Sequence, residues 1–363
     1  SLCLGMHDNI YLGFDKTSIA EFKNDSIYNF LNLDNRHNNS RRVVKIINLN
    51  SDSLLCITDD YAYIIRIDNS NISSTKLFEK YRGSNKDAVV VNKSEFAIGT
   101  SGQLDRISDK GIITVLNQRV TTIEIDSNKT WWIGTLFGFL KLPDGVEKPI
   151  KINIQNERDR KINDINFYRQ KVILATDSGI HVFNESTNKI ESIITEKDGL
   201  ISNQCKKIVL YKNSFWVATN SGISKIDFGK KGMTIEEVTN LTISTGLISN
   251  FINDILIKND SVWVATNEGL SVFPYNLEER FYNPIMNINE VKSNSSSLNF
   301  YQPIKLQPSE NNISITFSDM VFSKGVNNSY FFRLLPYQKE WTQTNENTIQ
   351  FSDLKPDSYT FEV

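Results

Sequence analysis

The sequence predicts an all-β protein, a seven-bladed β-propeller followed by a smaller β-domain. A strand–turn–strand phrase recurs through the first three quarters of the chain at intervals of about 40–45 residues, the usual length of one blade. After residue 284 this repeat stops, and short strands with a different rhythm follow a Ser/Asn-rich connector over residues 289–300. The predicted domains are therefore residues 1–284 and 285–363.

The recurring phrase is clearest as FWVATNSGISKI, residues 215–226, and VWVATNEGLSVF, residues 262–273. Apolar residues alternate with others on both sides of a Thr-x-x-Gly segment, which is typical of two pleated strands joined by a tight turn. A degenerate first copy has Phe14 where the first strand of the hairpin ends. In the other six copies a threonine holds this place: Thr58, Thr100, Thr135, Thr176, Thr219 and Thr266.

Two further segments flank each hairpin and complete a blade. A more polar stretch follows the hairpin, such as residues 189–194 or 234–241, and suits an outer edge strand. Each blade supplies its own four strands, so we expect no strand exchange. A β-sandwich or two unrelated β-domains would not produce the fixed period. The apolar stretches that precede the hairpins are the predicted innermost strands, residues 2–6, 43–49, 88–91, 120–125, 162–168, 205–211 and 251–257.

Composition and charge argue against several classes of protein. With 40 basic and 42 acidic residues the formal net charge is −2, so no overall field attracts the chain to nucleic acid or to an anionic membrane. No apolar run approaches the roughly 18 residues of a membrane span. Cys3, Cys56 and Cys205 lie far apart in apolar stretches, which indicates buried thiols and no metal site. We expect no cofactor.

Known catalytic signatures are missing from the sequence. HExxH, Walker, GxGxxG and GxSxG motifs do not occur. The histidines His7, His37 and His181 are scattered, and His181 lies within a predicted strand, where we expect a structural imidazole. Two IND triplets, residues 162–164 and 252–254, begin inner strands. The Asn and Asp of these triplets suit a cation or ligand contact near the central channel of the propeller. We favour the alternative, in which they form hydrogen bonds to backbone at the start of the strand.

Two further segments connect the repeat to a known family. DGLISN, residues 198–203, and TGLISN, residues 245–250, each lie between a predicted outer strand and the next inner strand. Together with the W-[IV]-[GA]-T-x-x-G hairpins, this order resembles the two-component regulator propeller repeat, closely in the four blades from Thr135 to Thr266 and loosely before them. Such repeats are found in the extracytoplasmic sensor regions of bacterial histidine kinases and hybrid two-component systems.

The C-terminal part is similar to the small immunoglobulin-like domain, named for three tyrosines, that follows these propellers. Phe332 and Phe351 stand where its pattern commonly has Tyr. The pattern normally continues past Val363, and about 79 residues follow Pro284 where such a sandwich needs about 100. We therefore expect a fragment of a longer polypeptide. The residues that match the pattern are Tyr330, Arg333, Leu334, Trp341, Leu354, Pro356 and Tyr359.

The resemblance implies the function of a periplasmic sensing region in a membrane-anchored signalling protein whose full length is a histidine kinase. It also implies an oligosaccharide or similar small molecule as ligand, and a homodimer whose rearrangement carries the signal. The anchor is expected downstream of Val363, and the fragment itself is predicted to be no enzyme. Candidate ligand contacts, chosen by loop position, are Asp177, Ser178, Asn203, Asn220, Ser221, Asn250, Asn267 and Glu268.

Two other functions stay open from the sequence. A protein-interaction scaffold would present a flat apolar patch in place of a polar pocket. A propeller enzyme acting on polysaccharide would use a pair of carboxylates at the channel mouth, although Asp, Asn and Ser are also ordinary turn formers. The carboxylates near such positions are Asp59, Asp60, Asp177 and Glu268.

Overall fold

The chain divides into two compact units, which are described separately. Unit 1 comprises Ser1–Ile243 and Leu247–Asn276, and unit 2 comprises Ser244–Gly246 and Leu277–Val363. His7, His37 and the predicted boundary at residue 284 lie outside the described residues. This computed structural model describes residues 1–5, 9–15, 18–23, 26–33, 42–68, 71–77, 84–152, 161–230, 232–276, 286–294, 296–300, 302–319 and 330–363.

Strands make up the regular structure, and the all-β prediction is confirmed. The described residues contain no α-helix, only single 3-10 turns at Glu196–Asp198, Ile243–Thr245 and Pro308–Glu310. No helix in these ranges is long and apolar enough to cross a membrane.

In unit 1 the strands form small antiparallel sheets, each built from strands that are consecutive in the chain. Sheet 1 contains β1 (Leu2–Leu4), β2 (Ile10–Gly13), β3 (Ser18–Lys23) and β4 (Ser26–Asn32). Sheet 2 contains β5 (Val43–Asn50), β6 (Ser53–Thr58), β7 (Ala62–Asp68) and β8 (Asn71–Leu77). Sheet 3 contains β9 (Asn85–Asn92), β10 (Glu95–Thr100), β11 (Leu104–Ser108) and β12 (Gly111–Leu116).

The second half of unit 1 continues this pattern. Sheet 4 contains β13 (Thr122–Ile125), β14 (Trp131–Thr135), β15 (Gly138–Leu142) and β16 (Ile150–Ile152). Sheet 5 contains β17 (Ile162–Tyr168), β18 (Lys171–Thr176), β19 (Gly179–Asn184) and β20 (Lys189–Ile194). Sheet 6 contains β21 (Cys205–Tyr211), β22 (Ser214–Thr219), β23 (Ile223–Phe228) and β24 (Ile235–Leu241). Sheet 7 contains, among the described residues, β25 (Ile252–Lys258), β26 (Ser261–Thr266) and β27 (Gly269–Pro274).

The first strands of the sheets lie next to one another in chain order. We call them the inner strands: β1, β5, β9, β13, β17, β21 and β25. Each contacts the next, and β25 contacts β1. The apolar stretches of the sequence therefore form these strands, and the polar stretches 189–194 and 234–241 form the last strands of sheets 5 and 6, as predicted.

The hydrophobic core of unit 1 lies between neighbouring sheets. Trp132 of sheet 4 is fully buried against Phe139 of its own sheet and Phe183 of sheet 5. Trp263 of sheet 7 packs against Leu2 in sheet 1, so apolar contacts also join the last sheet to the first. The tryptophans of the repeat, Trp132, Trp216 and Trp263, are core residues. The cysteines Cys3, Cys56 and Cys205 are free and buried, and burial raises their pKa values.

Unit 2 consists of two small sheets around an aromatic core. In the first, the neighbours are β29 (Ser296–Ser297), β28 (Met286–Ser293), β30 (Ile313–Asp319) and β33 (Thr348–Phe351). In the second they are β32 (Thr342–Thr344), β31 (Tyr330–Leu335) and β34 (Thr360–Glu362). Phe317, Phe332 and Phe351 are buried in one cluster drawn from both sheets. The two phenylalanines that replace expected tyrosines are thus core residues.

A glycine before the threonine of the hairpin allows close approach of neighbouring sheets. A methyl group added at Gly134 would lie 2.5 Å from Thr122 Cγ2 and 3.0 Å from Ile162 Cβ in sheet 5. At the same position of sheet 3, a methyl group at Gly99 would lie 2.6 Å from Val120 Cγ1. Real Cβ atoms do not approach neighbours this closely, so a larger residue would push the sheets apart.

Replacing Gly134 with Ala is expected to lower the free energy of unfolding by about 1–3 kcal/mol, because the added methyl overpacks the contact between sheets 4 and 5. Urea unfolding at equilibrium measures the change. The matched control is Gly102→Ala, where an added methyl meets no atom within 4 Å. This control is expected to change stability by no more than about 0.5 kcal/mol. Equal losses in both variants would contradict the proposed contact.

Candidate functional site

Two kinds of loop lie on the same face of unit 1, which we call the loop face. One kind is the Thr-x-x-Gly turn between the second and third strands of a sheet, and the other is the connection to the next inner strand. The Gly179 N–H donates a hydrogen bond to Asn203 O at 2.8 Å, which joins a turn of sheet 5 to the connection that follows this sheet. All the predicted ligand contacts lie in these loops.

The threonine of each turn organises its backbone. Thr176 Oγ1 donates to Gly179 O at 2.8 Å and accepts from Ser178 N–H at 3.1 Å. The same bond from the threonine to the glycine carbonyl occurs at Thr135, Thr219 and Thr266, at 2.8–3.0 Å. Gly179 has φ +118°, and a Cβ there would lie 2.4 Å from Ile194 O, so glycine is required. The repeated motif is thus a structural turn.

The two asparagines of the GLISN segments close their own loops. Asn203 Oδ1 accepts from Glu196 N–H at 2.8 Å, and Asn203 N–H donates to Glu196 Oε1 at 2.9 Å. Asn250 Oδ1 accepts from Ile243 N–H at 2.8 Å. Each asparagine thus accepts a hydrogen bond from a backbone N–H seven residues earlier in the chain. Both side chains are therefore engaged in holding the connection between sheets.

The remaining predicted contacts belong to polar pairs on the loop face. Asp177 Oδ1 accepts from Asn163 Nδ2 at 2.7 Å, and Asn267 Oδ1 accepts from Asn253 Nδ2 at 2.8 Å. This is the same contact in sheets 5 and 7. The other polar side-chain contacts are Asn220 Nδ2 to Gln204 Oε1 at 2.6 Å, Ser221 Oγ to Asn220 Oδ1 at 3.1 Å, and Ser178 Oγ to His181 Nε2 at 3.2 Å.

These contacts do not form one shared cluster. Among the described residues, Asn220 and Ser221 are the two predicted contacts whose side chains are bonded to each other. Glu268 donates its N–H to Thr266 Oγ1 at 3.1 Å. Two of the four carboxylates weighed for catalysis stand beside cations: Asp59 lies 3.4 Å from Arg42 Nε, and Asp177 lies 3.6 Å from Lys161 Nζ.

A second polar feature lies on the inner strands, and most of it is missed by the sequence interpretation. Six charged residues, which we call the inner-strand charges, lie on six of the seven inner strands. The IND triplets point to two of them. Lys45 and Glu124 are single charges inside predicted apolar stretches, whereas Asp87 and Lys207 each follow another charged residue. The inner-strand charges are Lys45, Asp87, Glu124, Asp164, Lys207 and Asp254.

The three aspartates of this group bind the backbone of the next sheet. Asp87 Oδ2 accepts from Ile123 N–H at 2.8 Å, and Asp164 Oδ2 accepts from Ile208 N–H at 2.8 Å. Asp254 Oδ2 accepts from Leu2 N–H at 2.7 Å, which ties sheet 7 to sheet 1. The favoured interpretation of the IND triplets, hydrogen bonds to backbone, is confirmed. No group of His, Cys, Asp and Glu in the described part of the chain could hold a metal ion.

Two of the aspartates have a lysine partner from the preceding sheet. Lys45 Nζ lies 2.7 Å from Asp87 Oδ1, and Lys207 Nζ contacts Asp254 Oδ1. Sheet 4, which precedes Asp164, carries Thr122 in the same strand register instead of a lysine. Asp164 therefore lacks the preceding lysine that the other two aspartates have.

This difference is reflected in the pKa values. Burial raises the pKa of Asp164 to about 7; the charge of Lys207 and the Ile208 N–H oppose this, while Glu124 and Asp87 add to it. Burial acts to raise the pKa of Asp254 too, but the charge and hydrogen bond of Lys207 outweigh burial and hold that pKa below its usual range. Burial thus moves the pKa of Asp164 toward neutrality, opposite in direction to the pKa of Asp254.

Comparison with known proteins gives a curated relative of the chain. The chain is 26% identical over 278 residues to "Histidine kinase P4" of Formosa agariphila. The alignment covers 70% of this chain and 20% of the relative, so the chain spans about a fifth of that protein's length. No protein-family model matches the chain. The predicted resemblance to the histidine kinases of two-component systems is confirmed by this relative.

Solved structures similar to the chain include propeller-type domains. The WD40 domain of Pan2 from Neurospora crassa matches with a TM-score of 0.52 at 10% identity, over 75% of this chain and 86% of that chain. BamB from Moraxella catarrhalis matches with a TM-score of 0.50 at 10% identity, over 75% and 81%. WD40 domains are propellers, so these matches support a propeller-like fold.

The extracellular domain of BT3049, assigned as a hybrid two-component system of B. thetaiotaomicron, aligns with more of the chain than these two structures do, but with a lower TM-score. The alignment covers 99% of this chain and 69% of that chain, with a TM-score of 0.46 at 16% identity.

The raised pKa of Asp164 predicts a pH-dependent stability. A carboxyl with a higher pKa in the folded state binds its proton more tightly when folded, so stability falls as the pH rises from about 4 to about 7. Asp164→Asn removes this titration, and its side-chain oxygen can still accept from Ile208 N–H. The unfolding free energies of wild type and variant are measured in urea across this pH range. As the pH rises, the variant is expected to become more stable relative to wild type. If the two unfolding free energies change with pH in parallel, the raised pKa of Asp164 is contradicted.

The opposite pH dependence is expected at Asp254. Asp254→Asn leaves Lys207 without its partner, and about 1–3 kcal/mol of unfolding free energy is expected to be lost at neutral pH, since the lysine keeps some exposure to water. Because the pKa of Asp254 is lowered, the loss is expected to shrink as the pH falls below about 4. The same urea titration measures it, with Asp164→Asn as the matched control. A smaller loss than in this control at neutral pH would overturn the ion-pair assignment.

Proposed function

We propose that the chain is the extracytoplasmic, ligand-sensing region of a transmembrane two-component signalling protein. The observation that carries this proposal is the match over 278 residues to a histidine kinase of which the chain spans a fifth. A kinase has to receive its signal through a region outside its catalytic part. The aligned segment belongs to an all-β chain with a loop face, and this arrangement suits ligand binding.

We infer a seven-bladed propeller for unit 1 and an immunoglobulin-like domain for unit 2. The propeller is supported by the inner strands, which follow one another in a closed series from β1 to β25 and back to β1. Asp254 and Trp263 supply polar and apolar contacts at this closure. The immunoglobulin-like assignment is supported by the two-sheet core around Phe317 in unit 2.

The loop face is the proposed ligand site. Rigid strands support its turns through repeated threonine bonds, and amide and hydroxyl groups stand at its surface, for example at Asn220, Ser221 and Asn267. Such groups suit an oligosaccharide or a similar small polar molecule, because sugar hydroxyls both donate and accept hydrogen bonds. Loops on a rigid scaffold commonly carry recognition.

We propose that the signal is transferred by a change in the relative populations of two dimer arrangements. The ligand binds one arrangement of a homodimer better than another, and this difference in binding free energy biases a kinase outside the chain. Unit 2 relays the change toward the membrane, to which the protein is anchored by a segment outside the chain. The location is the periplasm, and the chain contacts no nucleic acid.

Thermal-shift measurements on the 363-residue chain with a panel of oligosaccharides, followed by calorimetry, test this function. We expect at least one saccharide to bind saturably and to remain unchanged after long incubation. Asn267→Ala combined with Glu268→Ala on the loop face is expected to weaken binding by about tenfold. Asn128→Ala, on the turn at the opposite end of sheet 4, is the control and is expected to have no effect. Turnover of the saccharide, or no binding across the panel, would overturn the proposal.

A further inference from the structure

Three cations gather where the inner strands of sheets 2, 3 and 4 begin on the loop face. Arg42 immediately precedes β5, Lys86 is the second residue of β9, and Arg119 lies just before β13. We call these residues the cationic cluster. None of them is among the residues that loop position suggested.

Backbone hydrogen bonds hold the three segments next to one another. Asp59, in the turn of sheet 2, donates its N–H to Arg42 O at 3.2 Å and accepts from Asn85 N–H through its own carbonyl at 2.8 Å. Asp59 therefore links Arg42 to Asn85, the residue that precedes Lys86. Thr100 O, in sheet 3, accepts from Val120 N–H at 3.0 Å, which places Arg119 beside the turn of sheet 3.

The positive charge of the cluster is only partly balanced. Asp59 Oδ1 lies 3.4 Å from Arg42 Nε, and the Arg42 side chain is 62% exposed. Lys86 Nζ donates to a neutral group, Ser84 Oγ, at 2.9 Å. Burial lowers the pKa of Lys86, and the neighbouring charges of Arg119 and Arg42 lower it further, while Asp59 opposes them. Both arginines thus act on Lys86, and Asp59 is the carboxylate that opposes them.

The equivalent lysine of sheet 6 has no neighbouring arginine that acts on it. Lys206 occupies the same register in sheet 6 as Lys86 in sheet 3, between the residue paired with the hairpin threonine and the inner-strand charge. Burial alone lowers the pKa of Lys206, with no arginine contributing. Lys206 is therefore the matched control for Lys86.

We propose that the cationic cluster of Arg42, Lys86 and Arg119 binds an anionic group, a carboxylate or a sulfate, of the ligand sensed on the loop face. Like charges held together by a rigid backbone raise the free energy of the empty site, and a bound anion relieves this repulsion. The two arginines offer paired donors that match carboxylate and sulfate oxygens, and Lys86 adds a point charge. The inference rests on the proposed sensing function and narrows its ligand to an acidic molecule.

The test is calorimetry on the 363-residue chain with sodium sulfate, sodium glucuronate and neutral glucose, at an ionic strength kept constant with sodium chloride. Wild type is expected to bind sulfate or glucuronate more tightly than glucose. Lys86→Gln and Arg119→Gln are each expected to weaken this binding by about tenfold, as for lost charged hydrogen bonds. Lys206→Gln is expected to leave it unchanged, and Lys86→Arg to retain most of it. The pKa of Lys86, measured by NMR of its side chain, is expected to rise when the anion binds.

The outcomes separate this inference from the proposed function. The anion site is overturned if neither anion binds more tightly than glucose, or if Lys206→Gln weakens binding as much as Lys86→Gln. It is also overturned if Lys86→Gln binds the anions as wild type does. If a neutral oligosaccharide binds wild type and Lys86→Gln equally, the sensing function stands while this inference fails. If the anions bind at the cluster but no saccharide binds, the site stands and the oligosaccharide proposal fails.

Discussion

Unit 1 depends on hydrogen bonds between neighbouring sheets, in which an aspartate of an inner strand accepts from a backbone N–H of the next sheet. An inner strand has a partner on one edge only, so N–H groups on its other edge need acceptors once the sheets pack together. Asp87, Asp164 and Asp254 supply these acceptors at 2.7–2.8 Å. Because each carboxylate reaches the next sheet, the bond fixes the relative position of two sheets as well as satisfying a donor.

The charges around these aspartates make the contacts between sheets unequal. Lys45 and Lys207 neutralise Asp87 and Asp254, whereas Thr122 stands where a lysine would face Asp164. A buried ion pair adds little net stability, because desolvation offsets its attraction, but it strongly disfavours arrangements that separate the charges. Two contacts between sheets are therefore fixed by ion pairs, and the contact from sheet 5 to sheet 6 is left sensitive to protonation. The loop face rests on this framework.

Much of the fold could be predicted from the sequence because it repeats. The strand period, the Thr-x-x-Gly turn and the buried tryptophans are local patterns, and the strands and turns follow them closely. The aspartates of the IND triplets also bond to backbone as expected. The candidate site was harder to predict. Loop position selected residues such as Asn203, whose side chain is engaged in holding its own loop.

The electrostatic features could not be predicted because their members are far apart in the chain. Asp254 is hydrogen-bonded to Leu2, which is 252 residues away in the sequence, and Lys207 is paired with Asp254, which is 47 residues away. Arg42, Lys86 and Arg119 each lie in a different repeat, and no local motif joins them. Only the closed order of the inner strands brings such residues together.

The central claim is that ligand binds the loop face of unit 1. Hydrogen–deuterium exchange of the 363-residue chain, with and without a saccharide that stabilises it, tests this claim most directly. The account predicts that ligand slows exchange in the turn at residues 176–179 and in the connection at residues 196–204. Slower exchange confined to the opposite turns, such as residues 212–213, or to the outer strands β20 and β24, would contradict it.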